Sequence, residues 1–210
     1  MQFIIRMLRY LDDTKLRMFI IIEDKMARTE SLNLPMDFKA PDFELWNPKL
    51  QQKQSLQDLQ STKATVVMFI CNHCPFVIHI ADKLSELASQ YIANGVSVIG
   101  INPNDVINYP ADSPENMVIT AEKYGFEFAY LYDETQEIAK AYKAVCTPDI
   151  YVFDSELKLR YHGQFDASRP GNNVPVTGID LSNAIDAVLS GTNEIEMQIP
   201  SIGCNIKWKM

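Results

Sequence analysis

Ala64-Thr65-Val66-Val67-Met68-Phe69-Ile70-Cys71-Asn72-His73-Cys74-Pro75 is the stretch on which the fold turns. Ala64 to Ile70 is a continuous apolar run bounded by polar residues, the mark of a strand buried on both faces. It ends directly at Cys71. Beyond Cys74, the residues Phe76, Ile80, Leu84, Leu87 and Tyr91 recur every three or four positions and predict one buried helical stripe, closing near Gly95. Val96-Ser97-Val98-Ile99-Gly100-Ile101 then reads as a second buried strand. Strand, helix and strand in this order predict a parallel, right-handed crossover with the two cysteines at the strand-to-helix junction.

Toward the N-terminus, Ala40 to Trp46 and the polar turn Asn47 to Lys53 predict a hairpin, and Ser55 to Leu59 a short helix. Toward the C-terminus, Asn102 to Ser113 is a Pro- and Asn-rich loop. Ser113-Pro114-Glu115 has the cap, first-turn proline and early acid of a helix start, and that helix runs to Tyr124 and stops at Gly125. Thr135 to Tyr142 predicts another short helix. Ile150 to Phe153 and Leu157 to Tyr161 predict two strands about a tight turn at Asp154-Ser155-Glu156, and Asp180 to Leu189 a last helix closed by Gly191. The tail from Gln198 has no clear periodicity. The expected organisation is an N-terminal extension over residues 1–33, one domain over 34–197, and a tail over 198–210.

The chain has 210 residues, 47% of them hydrophobic and 22% charged, enough for one sizeable core. A net charge of -8, with no Lys/Arg cluster, argues against nucleic acid and anionic membranes as partners. The apolar run Met18 to Ile22 is far shorter than the roughly 18 to 20 residues of a spanning helix, and no cleavage pattern follows it. Cytoplasmic placement is therefore expected. Met1 to Lys25 reads as an upstream start-site artefact, with a surface helix as the alternative.

Four cysteines, Cys71, Cys74, Cys146 and Cys204, are too few to staple a chain of this size, and the C-x-x-C spacing within a βαβ pattern reads first as a redox pair. At a helix start the unpaired backbone N–H groups favour thiolate over thiol. Cys71 and Cys74, three apart on one helical edge, can close a disulfide. The N-terminal cysteine of such a pair is normally the more exposed, so Cys71 is expected to attack and Cys74 to resolve the mixed disulfide. His73, through charge or a donated hydrogen bond, would stabilise the thiolate and make the disulfide more oxidising. No cofactor is expected. The implied partners are protein or small-molecule disulfides and thiols together with a thiol reductant; oligomeric state is left open.

These features resemble the thioredoxin superfamily, and within it the redoxins grouped as alkyl hydroperoxide reductase and thiol-specific antioxidant (AhpC/TSA) proteins. The resemblance runs through Ala40-Pro41-Asp42-Phe43-Glu44-Leu45, Phe69 to Val77, Val145-Cys146-Thr147-Pro148-Asp149, Gly163 to Gly178 and Pro200 to Lys207. It implies an α/β thioredoxin-like fold: a central mixed sheet flanked by helices, with an N-terminal hairpin and a C-terminal extension. It further implies that Pro148 is a cis-proline facing the redox pair, and that Thr147 before it receives substrate through its backbone. Where ordinary thioredoxin has Trp, then Gly-Pro between its cysteines, this chain has Ile70 and Asn72-His73. A His before the second cysteine is shared with strongly oxidising periplasmic oxidases, so the potential is expected between about -270 mV, as in thioredoxin, and about -120 mV.

Other chemistries are open at this stage. Thiol peroxidase activity, an antioxidant role, could begin at a thiolate through sulfenic acid. Against it, aligning the peroxiredoxin Pro-x-x-x-Thr-x-x-Cys pattern on Cys74 puts Cys71 at the Thr and Val67 at the Pro. A non-catalytic binding module with structural cysteines is a third reading. Zinc, with Cys146, Cys204, His73 or His162 completing the ligands, lacks a second C-x-x-C or close Cys/His pair, so no metal is expected. Cys146 reads as a small buried hydrophobe or an auxiliary redox thiol, and Cys204 as an auxiliary thiol brought over the site by the tail. Asp166 and Arg169 are expected to pair across the loop. Asp42, Asp58, Asp133 and Asp149 read as solvated or capping carboxylates.

Overall fold

The computed structural model describes residues 28–192, 195 and 198–209; Met1 to Lys25 lies outside them. In chain order the elements are β1 (Arg28–Glu30), β2 (Glu44–Asn47), β3 (Gln52–Ser55), α1 (Leu56–Leu59), β4 (Ala64–Phe69), α2 (Pro75–Ala93) and β5 (Ser97–Asn102). A 3-10 turn over Pro110–Asp112 is followed by α3 (Pro114–Tyr124), β6 (Ala129–Tyr132), α4 (Glu137–Ala141), β7 (Cys146–Thr147), β8 (Asp149–Asp154), β9 (Leu159–Gly163), α5 (Ile179–Leu189) and β10 (Ile202–Asn205).

Seven strands form the central mixed sheet in the order β3-β2-β6-β5-β4-β8-β9, with β4, β5 and β6 parallel and the remaining pairs antiparallel. Because successive side chains of a strand point to opposite faces, β4 feeds two cores. Val66, Met68 and Ile70 pack with Ile80, Leu84 and Leu181 on one side of the sheet. Val67 and Phe69 pack with Ile99, Ile101, Tyr142 and Tyr151 on the other. All six residues of β4 are buried, which is why its sequence shows no polar alternation.

The helix signals translate into caps. Ser113 accepts the Asn116 N–H, Pro114 opens α3, and Gly125 closes it at φ +69°, a left-handed conformation that costs glycine little. In α1 the Ser55 and Asp58 side chains form a reciprocal capping box, so Asp58 is the capping carboxylate expected of it.

Two short elements differ from expectation. The helix expected from Thr135 begins only at Glu137, because Gln136 sits at φ +63° and sends its amide Nε2 to the carbonyls of Pro103 and Lys207. The strand expected from Leu157 begins at Leu159: Leu157, at φ +58°, donates its N–H to the Asp154 carbonyl and extends the turn. Asp154 holds that longer turn through the N–H groups of Glu156 and Lys158 and the Arg160 guanidinium.

The tail without periodicity is the centre of a second, three-stranded antiparallel sheet, β1-β10-β7. Here Cys204 lies opposite Thr147 on one side and Arg28 on the other. Among the described residues, no helix is long and apolar enough to cross a membrane.

Candidate active site

Strand β4 delivers Cys71 to the start of α2, where Cys74 is the N-cap and Pro75 fills the first helical position without wasting a hydrogen-bond donor. The link between β7 and β8 comes from the other side. The Thr147–Pro148 peptide is cis, and Thr147 touches both cysteines: its Oγ1 is 3.4 Å from Cys71 Sγ, and its carbonyl oxygen accepts from Cys74 Sγ at 3.1 Å. All four cysteines are free thiols, and all are buried.

The expected exposure of Cys71 is not what the structure has: Cys71 is 2% exposed and Cys74 0%. Thr147 lies against both sulfurs, and Cys204 of the tail strand is packed in the same buried cluster. Burial raises the Cys71 thiol well above the usual range, helped by its hydrogen bond to Cys74 and by the nearby Asp112 carboxylate. Burial also opposes charge on Cys74, but hydrogen bonds from Cys204 and Cys71 and the Val77 backbone N–H more than offset it and bring its pKa far below an ordinary thiol's. The Val77 interaction is electrostatic, since the N-cap sulfur makes no formal cap hydrogen bond. The helix-start effect expected for Cys71 therefore falls on Cys74. Charging Cys74 gives up its bond to the Thr147 carbonyl, so the two states of that sulfur have different partners.

Asn72 and His73, the departures from Gly-Pro, are both tied to the 110–112 turn. Asp112, with 0% exposure, accepts the backbone N–H groups of Asn72 (2.8 Å) and His73 (3.2 Å) on Oδ1. Its Oδ2 takes His73 Nδ1 (2.6 Å) and Asn104 Nδ2 (2.8 Å). The Asn72 side chain donates to the Ala111 carbonyl and accepts from the Tyr130 hydroxyl. The His73 ring stacks on Tyr109, 5.8 Å between centroids. One ligand atom each of Cys71, His73 and Asp112 lies within 4.8 Å of the others, a spacing a metal ion could bridge. Here, however, Nδ1 and Oδ2 are bonded to each other. Two of the zinc ligands considered from sequence are engaged elsewhere, His162 by Asp149 and Cys146 by the Pro148 carbonyl.

The AhpC/TSA family model matches residues 36–162, more than half of the chain. The chain belongs to the AhpC/TSA family. A conserved protein from Geobacillus kaustophilus is 54% identical, over 88% of this chain and 97% of that one, with a TM-score of 0.85. A Sinorhizobium meliloti protein is 43% identical, over 86% and 98%, at 0.84. At 19% identity, covering 69% and 95%, a secreted disulfide oxidoreductase of Mycobacterium tuberculosis shares the thioredoxin-like fold, with a TM-score of 0.52. No curated protein matches the chain.

Within this AhpC/TSA chain the two auxiliary cysteines part company. Cys204 lies opposite Thr147 in the same buried cluster as Cys74, whereas Cys146 turns its sulfur toward the Pro148 carbonyl, 3.6 Å away, and burial pushes its thiol up. Asp149 is no solvated or capping group: it is fully buried, with Oδ1 2.7 Å from His162 Nε2 and Oδ2 accepting from the Tyr151 hydroxyl. Following directly on Pro148, it is carried inward by β8. Asp166 and Arg169 hold their loop without pairing their charges. Asp166 accepts the N–H groups of Ser168, Thr177 and Gly178, while the Arg169 guanidinium donates to the Asp166 and Ser168 carbonyls and to Gln164 Oε1.

Asp112 is the site residue that sequence reading missed. It lies far from the cysteines in the chain, among turn formers, and nothing in its spacing links it to them.

The close approach of the tail has its own requirement. A Cβ at Gly203 would stand 2.5 Å from the Thr147 carbonyl carbon, 3.0 Å from the Pro148 nitrogen, and against the Thr147 oxygen itself. Those atoms are backbone and cannot step aside. Gly203→Ala is expected to cost about 2 kcal/mol by overpacking, read as a lower urea midpoint with an unchanged slope.

Proposed function

We propose that this protein is a thiol-disulfide oxidoreductase working through the Cys71–Cys74 couple. The supporting observation is the contact of both sulfurs with one residue, Thr147, at a strand-to-helix junction, where the Cys74 pKa is lowered and that of Cys71 raised. Of the two reduced thiols, Cys74 is the more easily ionised and Cys71 the one that holds its proton longer. Cys71 gives up that proton as it attacks a substrate disulfide; Asp112 and His73 are the ionisable groups beside it. The attack forms a Cys71–substrate bond and releases one substrate sulfur as a thiolate. Cys74, already poised as a thiolate, then attacks Cys71 Sγ, closing the Cys71–Cys74 disulfide and expelling the second substrate sulfur. Two electrons pass to the substrate, and a thiol reductant resets the enzyme. The substrates are disulfides and thiols of proteins or small molecules.

Peroxide reduction is not favoured: the cysteine that aligns with the peroxiredoxin pattern is Cys74, which has no exposed surface. The experiment is a glutathione redox titration with thiol trapping and mass spectrometry. A reversible two-electron transition is expected between about -270 and about -120 mV. Failure to form a Cys71–Cys74 disulfide at any poise would overturn the reading.

A further inference from the structure

Two further thiols share the buried cluster around Cys74. One is Cys71. The other is Cys204, which reaches the site because β10 adds to the two-residue edge strand β7, with Cys204 opposite Thr147 and Asn205 opposite Cys146. Its position is held along the whole tail. Before it, Ser201 Oγ donates to the Gly163 carbonyl and Ser201 N–H to Ser31 Oγ. After it, Ile206 N–H bonds to the Val145 carbonyl, and the Lys207 N–H and carbonyl bond to Asn104 Oδ1 and the Asp105 N–H. Strand β1 closes the outer edge of β10, and side-chain-free Gly203 lets the strand press against the Thr147 carbonyl. Cys204 is 2% exposed, packed in one apolar cluster with Cys71 and Cys74.

We infer that Cys204 is a third redox thiol, which attacks Cys74 Sγ in the oxidised enzyme to form a Cys74–Cys204 disulfide and free Cys71. The inference rests on the proposal that Cys71 and Cys74 are the working couple. The exchange balances within the chain: the Cys71–Cys74 bond breaks as the Cys74–Cys204 bond forms, Cys204 loses a proton and Cys71, leaving as a thiolate, gains one. The number of disulfides is unchanged, and no outside oxidant or reductant is consumed.

The direction of attack is chemically consistent. In the reduced protein, Cys204 is pushed far up first by its hydrogen bond to Cys74, then by burial and by the Cys74 charge. Once Cys74 is in a disulfide, the first and third of these causes are gone. Cys204 then becomes a better nucleophile in the one state where Cys74 is an electrophile. Cys204 lies opposite Thr147, whose carbonyl accepts from Cys74 Sγ at 3.1 Å, and Cys74 and Cys204 share one buried cluster, so side-chain rotation is expected to bring the two sulfurs to bonding distance. The product stores the oxidising equivalents away from Cys71, leaving that thiol reduced.

The test is peptide mapping of the full chain, oxidised with diamide, then denatured and alkylated with N-ethylmaleimide at mildly acid pH, and digested without reductant. Wild type should yield both the Cys71–Cys74 and the Cys74–Cys204 linkages, and Cys204→Ser only the first. Cys71→Ser should yield Cys74–Cys204 as its main product, two hydrogens lighter than the reduced protein, with Cys146 alkylated. Should Cys71→Ser not fold, the wild-type and Cys204→Ser maps decide alone. A Cys71–Cys74 linkage without any Cys74–Cys204 linkage would overturn the relay and leave the couple standing. A map with no Cys71–Cys74 linkage in wild type would overturn the couple, and the relay with it.

Discussion

Cys71→Ser should lower disulfide turnover at least about a thousandfold, since no neighbouring group replaces an attacking sulfur. The loss should come without loss of fold, because the substitution exchanges one small buried polar group for another beside the Thr147 hydroxyl. Wild type carries a second expectation. The Cys71 thiol is held above the ordinary range, so across neutral and mildly alkaline pH it is mostly protonated and its thiolate fraction rises about tenfold per pH unit. Alkylation of Cys71 by iodoacetamide should climb with that slope, without levelling off near pH 8.5, the ordinary value. A plateau below pH 8 would contradict the assignment of charge to Cys74. In Cys74→Ser the neighbouring charge and its hydrogen bond disappear, and Cys71 should become more reactive at neutral pH.

Asp112→Ala should have the largest effect on stability of any single change at the site. The carboxylate is fully buried and accepts four hydrogen bonds, two from the backbone of the Cys71–Cys74 loop, one from His73 and one from Asn104. Truncation leaves those donors facing a hole, at a cost of about 3 kcal/mol. Denaturant unfolding measures this directly. Chemistry should move the other way: removing the negative charge lowers the Cys71 pKa, so alkylation at pH 7 should speed up while the fold weakens. Asp112→Asn separates the two effects. It keeps an acceptor for the two loop N–H groups but sets an amide NH2 against Asn104 Nδ2 and loses the charge, so it should retain part of the stability and all of the charge-dependent gain in reactivity. Equal loss of stability in both variants would show that the two loop N–H bonds to Oδ1 do not anchor the turn.

The contrast between Cys74 and Asp112 shows what the sequence could reveal. Cys74 sits inside a strand–helix–strand pattern whose periods, 2 and 3.6, are set by the backbone, so its place at a helix start was readable from neighbours within a few residues. Asp112 acts across a contact between two loops, and no local period records such a contact. Strand β10 was hidden for a related reason. Four residues, one of them glycine, are too few to show alternation, and their partners lie at Arg28–Glu30 and Cys146–Thr147. The delayed starts at Glu137 and Leu159 trace to Gln136 and Leu157, non-glycine residues in left-handed conformations that propensity does not anticipate. The cis bond before Pro148 and its place facing the redox pair were expected only through family resemblance, and the contacts of Thr147 with the two cysteines were not expected at all.

The seating of β10 on β7 also sets the terms on which anything else can dock there. A tethered strand competes as though present at about millimolar concentration, whatever the dilution of the protein. A peptide seeking the same backbone groups of Cys146 and Thr147 must outbid that internal occupant and the β1 pairing behind it. Lengthening the chain between α5 and β10 is expected to lower that local concentration and ease the exchange of β10 for another strand.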